Sequence, residues 1–238
     1  MKTNSVARNL RQGFTLIELL VVIAIIAALA SVAYGPILNQ LNKGDQNTAL
    51  QNMKQISIGL NQFQEDYSAF PDDETAAMIQ ERQPDLTFGS LTGDTSNCYL
   101  RQLLTKMDSE KNFYCKLDGE MGRTKEPDDK MANNKALVKG ECGFAYVMRA
   151  NKTAVPSADT RLPILLTPVL ETGATGEDVV FDNDSFRDNA FVLRLDQSVT
   201  KKGLNAEGKF DDKSSIFPEN KRTGKTVGDK YIVLPPDL

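Results

Sequence analysis

The sequence predicts an α+β chain: one long N-terminal helix, apolar in its first half and amphipathic in its second, packed on a small antiparallel-sheet head. Three observations predict it. An apolar run extends from Phe14 to Tyr34, broken only by Glu18 and a few small polar residues. Beyond it, Ala49, Met53, Ile56, Leu60, Phe63 and Tyr67 recur at steps of 4, 3, 4, 3 and 4, the spacing of one helical stripe. After Phe70-Pro71, short apolar segments alternate with long polar loops.

The first run has the length of a membrane span. Residues Phe14 to Tyr34 at about 1.5 Å rise cover roughly 31 Å, close to one hydrocarbon core. Lys2, Arg8 and Arg11 precede it and no acid comes before Glu18, so the short N-terminal segment stays cytoplasmic and the rest lies outside the inner membrane. Pro36, after Gly35, removes a backbone donor and is predicted to kink the helix near that boundary. Glu18 is the anomaly, because an acid near the bilayer centre costs roughly 2.5–3.5 kcal/mol on insertion scales. Such residues mark a function or a partner charge. Three readings compete: a plain uncleaved anchor, a processed segment in which Glu18 has a task, and an ordinary secretory signal. Ala28-Leu29-Ala30 fits the small-residue pattern of signal cleavage, but an acid is foreign to a signal's apolar region.

The stripe from Ala49 to Tyr67 is too short for a sustained coiled coil, so it is predicted to pack on the chain's own sheet. Phe70-Pro71 is expected to end the helix, since proline disfavours helix in its predecessor. The organisation is therefore residues 14–35 as an apolar half, 36–70 as an amphipathic half and 71–238 as a globular head, large enough for one compact core.

Within the head, Asn97 to Leu104 reads as a short helix, and Gly143–Met148, Leu162–Leu166, Ala190–Leu195 and Tyr231–Leu234 read as strands. Ala190–Leu195 carries the clearest alternation, with Phe191, Leu193 and Leu195 on one face and Val192, Arg194 and Asp196 on the other. Pro163 belongs at an edge or first strand position.

Composition excludes several activities. The chain has no histidine, which removes histidine-based triads, imidazole zinc sites and a histidine general base. No phosphate-cradling glycine loop is present, so no enzymatic role and no cofactor is expected. The counts of 28 basic and 32 acidic residues fall to 25 and 32, net −7, without Lys2, Arg8 and Arg11. That excess repels nucleic acid. Cys98, Cys115 and Cys142 all follow the span, on the side where disulfides form. A bridge from Cys115 to Cys142 would tether the polar stretch 116–141 and contribute roughly 3–3.5 kcal/mol in a chain-entropy account. Three reduced, buried thiols are the competing reading.

Arg11-Gln12-Gly13-Phe14-Thr15-Leu16-Ile17-Glu18 resembles the leader junction of type IV prepilins and type II secretion pseudopilins. The resemblance covers roughly the first 70 residues. It implies that residues 1–13 are a leader cut by prepilin peptidase between Gly13 and Phe14, and that Phe14 is then N-methylated. It further implies that Glu18 pairs with the Phe14 amine of an adjoining subunit, an attraction that low dielectric magnifies. Snorkelling of Glu18 toward headgroups is the local alternative. The family's helix proline stands one residue earlier than Pro36 does here. Implied partners are other pilin-like subunits, inner-membrane lipid and a secretion-system assembly platform, with the head in the bacterial periplasm. A pseudopilin is the principal reading; a surface pilin or minor tip subunit with an adhesive head is the alternative, and a hydrolase on a pilin-like anchor a remoter one. The family's major pseudopilins bind calcium, and Asp182-Asn183-Asp184, Asp128-Asp129 and Asp211-Asp212 offer hard oxygen atoms, although such clusters also mark hydrated turns. A weaker resemblance to a prepilin-type subgroup places a turn at Asp196-Gln197-Ser198-Val199, with Gln197 where that pattern favours glycine.

Overall fold

The computed structural model of the chain describes residues 14–119, 122–173, 175–212, 214–219 and 225–238. Residues 1–13, where the expected leader and Gly13 fall, lie outside the described residues. The first helix, α1, runs from Leu16 to Tyr67, and the chain divides into two compact units, Met1–Leu41 and Asn42–Leu238.

The first unit is the apolar part of α1. Its described large apolar side chains stand exposed, from 45 % at Val22 to 88 % at Leu16, so among the described residues this surface has no protein cover. α1 contains a stretch long and apolar enough to cross a membrane. Ser31 returns its hydroxyl to the Ala28 carbonyl at 2.8 Å, satisfying that donor inside the helix.

The second unit is an α+β head whose first layer is the amphipathic part of α1. All six stripe residues are buried, Ala49, Met53, Ile56 and Phe63 completely. Burying each of the larger ones contributes about 1.5–3 kcal/mol. Polar contacts border the stripe. Gln46 donates to the Phe186 carbonyl at 2.9 Å and accepts from Lys201 at 2.7 Å. Asn52 donates to the Tyr114 carbonyl at 2.6 Å, and Lys116 pairs with Asp45 at 3.0 Å.

The helix stops at Tyr67, before Phe70-Pro71, because Ser68 turns left-handed at φ 59° while its N–H still reaches the Gln64 carbonyl at 2.8 Å. That is an αL-type C-terminal stop with serine in the place glycine usually takes. Asp72 then caps α2 (Asp73–Arg82) through a reciprocal box with Thr75. Composition hid this helix, but its capping signal was written in the residues Asp72 to Thr75. The expected short helix is α3 (Ser96–Leu100), extended by a 3₁₀ turn over Arg101–Thr105. A further 3₁₀ turn spans Glu110–Phe113.

Two short pairs, β1 (Asp118–Gly119) with β2 (Gly122–Arg123) and β5 (Val169–Glu171) with β6 (Val180–Phe181), flank the main sheet. That sheet holds β3 (Ala145–Arg149), β4 (Pro163–Thr167), β7 (Asn189–Arg194), β8 (Val199–Gly203) and β9 (Tyr231–Leu234). Its order is β8-β7-β4-β3-β9 and every pairing is antiparallel. Pro163 opens β4, the position in which a strand tolerates proline.

Both sheet faces are covered. Tyr146, Met148, Phe191 and Leu193 join the core that includes the α1 stripe. Ala145, Val147, Ala190 and Val192 join a second core with Phe181, Phe210 and Phe217. Val192 thus faces protein, because the loops after β5 and β8 form a third layer. Ile164 and Leu165 both enter the α1-side core because the β4–β7 register shifts between Pro163 and Leu165, the effect of a bulge. Leu195-Asp196-Gln197-Ser198 closes the β7–β8 hairpin: Gln197 takes φ 66° and the Asp196 carboxylate accepts from Ser198 N–H at 2.9 Å. Glutamine occupies the left-handed position that glycine would fill without strain.

Candidate functional site

The described chain opens at Phe14, whose ring is 82 % exposed, and the residues after it build a helix start. Thr15 stands directly before α1. Its hydroxyl accepts from Glu18 N–H at 3.3 Å, while Glu18 Oε2 accepts from Thr15 N–H at 2.8 Å and from Thr15 Oγ1 at 2.8 Å. This is a reciprocal capping box, and it gives the carboxylate a second favourable setting, the positive end of a long helix.

The geometry explains how an acid persists in an apolar run. Glu18 lies at the third helical position, where the first-turn N–H groups need acceptors. Both Thr15 donors go to Oε2, and among the described residues Oε1 carries no bond. One carboxylate oxygen therefore holds the helix start, and Glu18 shares an open, mostly apolar surface with Phe14, Ile17, Val21 and Val22, where its second oxygen is free to meet a cation of another molecule. Thr15 is the participant that the sequence reading missed; the Thr-x-x-Glu spacing before an apolar run was the available signal. Pro36 lies within α1, which continues on both sides of it.

Among its described residues, the head supplies no comparable constellation. Cys98, Cys115 and Cys142 are free. Cys115 Sγ lies 3.2 Å from the Gly143 carbonyl and 3.3 Å from Thr167 Oγ1; Cys142 Sγ lies 3.5 Å from the Phe144 carbonyl. In place of a Cys115–Cys142 bridge, the structure holds two separately satisfied, fully buried thiols. Burial raises both, Cys142 to about 11 and Cys115 further, so neither is a ready thiolate.

In each acidic cluster at least one carboxylate is engaged locally. Asp182 accepts from Asp184 N–H and Ser185 Oγ, Asp128 from Lys130, and Asp212 from Lys202 and Ser214 N–H. Among the described residues no three Asp, Glu or Cys side chains gather as metal ligands. A cleft of about 420 Å³ lies between β6 and the 205–216 loop. Two of its charged groups are used in folding: Lys209 donates to the Val179 carbonyl at 2.6 Å and Glu177 accepts from Gly228 N–H at 3.1 Å.

Comparison with known proteins places one finding on this same N-terminal region. Residues 8–34 match the family model described as the prokaryotic N-terminal methylation motif. The chain therefore carries a prepilin-type motif laid over the start of an apolar helix that could span a membrane. No curated protein and no solved structure matches the chain.

Proposed function

We propose that this chain is a pilin-like structural subunit, most closely a pseudopilin of a type II secretion filament. Prepilin peptidase cuts between Gly13 and Phe14, and Phe14 receives the methyl group. The observation that carries the reading is the coincidence of the methylation motif at 8–34 with an apolar helix whose third position is a carboxylate tied to its own N-terminus by Thr15.

The chemistry follows from what each part offers. Before cleavage the apolar half of α1 stores the subunit in the inner membrane with the head outside. Cleavage exposes a cationic amine on Phe14, and extraction then exchanges lipid contacts for helix–helix contacts in a filament core. Repetition of one heterologous contact that does not close builds a helical filament. Glu18 Oε1 offers the incoming amine a charge-assisted bond, while the Thr15 box keeps the carboxylate aimed until then. Pro36 deprives the Val32 carbonyl of its helical donor, which makes that turn the place where α1 bends as subunits pack. The head has no enzymatic task in this account.

The test is filament assembly in a host with an active secretion system. Glu18→Gln and Glu18→Ala subunits are expected to insert and be cleaved, while filament yield falls to background. Normal yield from either variant would sink the assembly role. Localisation separates the filament types: confinement to the periplasm fits a pseudopilin, and long extracellular fibres carrying the chain would make it a surface pilin.

A further inference from the structure

Among the described residues, Glu110 is the ionisable side chain in the head whose setting neither folding nor assembly explains. It opens the 3₁₀ turn Glu110–Phe113 and has no solvent exposure. Its Oε1 accepts from Leu137 N–H, whereas its Oε2 is buried without any partner. An ionised carboxylate oxygen with neither water nor donor is among the costliest groups a protein can hold.

The surroundings add to that cost. Asp128 and Asp129 face Glu110 from the polar loop and Glu141 from its far end, and all three repel a second negative charge. Of the cations around the loop, Lys111 pairs with Asp129 at 3.5 Å, Lys125 with Glu141 at 3.6 Å and Lys130 with Asp128 at 2.8 Å, Arg101 donates to the Ala136 and Leu137 carbonyls at 2.7 and 3.0 Å, and Lys135 acts on Asp128. Among the described residues no cation is in ion-pair reach of Glu110. Burial first, and then these like charges, raise its carboxyl above the ordinary glutamate range, against the opposing pull of the Leu137 bond.

The loop that Glu110 holds is itself strained. Asp129, Asn133, Asn134 and Leu137 all have positive φ, a conformation that is an outlier for a bulky residue such as leucine. Leu137 is fully buried at φ 43°. Its N–H goes to Glu110 and its carbonyl to Asn97 at 2.9 Å and to Arg101. Glu110's own N–H meets the Asp129 carboxylate at 2.9 Å, so one residue pins two points of the loop.

We propose that Glu110 is a proton-operated latch: with its carboxyl neutral the 128–141 loop is closed on the head, and with it ionised the loop opens. Ionisation obliges Oε2 to find water, and water reaches it when the Leu137 segment lifts and leaves its strained conformation. A carboxyl raised in the folded form stabilises the closed loop fully below its unfolded value, and that contribution is lost as pH rises through the folded value. The pilus-like surface of such a head would thereby differ between acidic and alkaline surroundings.

The experiment is amide hydrogen exchange on the full chain in detergent micelles, read on peptides covering 128–141. Rates are corrected for intrinsic pH dependence, between about pH 8 and about pH 5. Protection of the wild-type loop is expected to rise by about tenfold or more toward the acidic end. Glu110→Gln, the isostere of the neutral form, is expected to hold the acidic-end protection at every pH. A flat wild-type profile overturns the latch, as does a Glu110→Gln profile that follows the wild type. Should the variant not fold, the wild-type profile decides alone. Closure at alkaline pH by millimolar calcium would assign Oε2 to a cation and overturn it equally.

Discussion

Asp72 shows how much a single residue does in this head. Its Oδ1 caps α2 through Thr75 N–H at 2.8 Å, its Oδ2 accepts from Ala154 N–H at 3.0 Å, and its carbonyl accepts from Gln102 at 2.9 Å. Three segments therefore meet at one buried acid. Asp72→Ala is expected to cost about 1–2 kcal/mol and to lower Tm by about 2–8 °C for a domain of this size, while Asp72→Asn retains the Oδ1 cap and loses less. Thermal unfolding of the three proteins side by side measures it. The cysteines give a second prediction at this scale. Cys98 is the partly exposed thiol and should label in the native protein, with Cys115 and Cys142 labelling only after unfolding. Protein unfolded without reductant that labels only at Cys98 would mean that a bridge had formed.

At the scale of elements, α1 was the most legible part of the molecule. Its stripe repeats at a period that only a helix satisfies, and each of its six residues reaches the core. Phe63→Ala, which removes a fully buried ring stacked on Tyr67 at 4.5 Å, is expected to destabilise by about 3–5 kcal/mol. Ile58→Ala, at a half-exposed position on the other face, should stay within about 0.5 kcal/mol. Denaturant unfolding of both variants distinguishes a helix held by this stripe from one held by its polar contacts. β7 and β9 were legible for a similar reason, since runs such as Phe191-Val192-Leu193 have no competing helical period. β8 was not. Val199-Thr-Lys-Lys-Gly203 has an edge strand's polarity, and only pairing with β7 makes it a strand. β5 and β6 are three- and two-residue pieces that carry too few side chains for any period to register. α2 was overlooked because its apolar face is short, even though Asp72 and Thr75 spell out its cap.

The whole molecule reads as two problems of burial with different solutions. The head solves its own, with a five-stranded sheet covered on both faces. The apolar half of α1 leaves its problem open, because the apolar side chains described from Phe14 to Tyr34, with Ile37 and Leu41, remain exposed and require lipid or other helices. That unsolved surface, together with the capped carboxylate at its start, carries the functional reading. The sequence made this end of the molecule plain because its motif is short, contiguous and chemically unusual. The third layer of the head stayed hidden because it is assembled from loops far apart in the chain. Glu110 was equally hidden: its burial depends on residues 128–141 folding back over it, which no local pattern encodes.

The most direct test of the central claim is the mass of the N-terminal peptide of the protein isolated from its native host's membrane. The account predicts a peptide beginning at N-methylated Phe14, with residues 1–13 gone. An intact Met1 in a host whose processing enzyme is active, or a start at Ser31 after the Ala28-Leu29-Ala30 pattern, would contradict it.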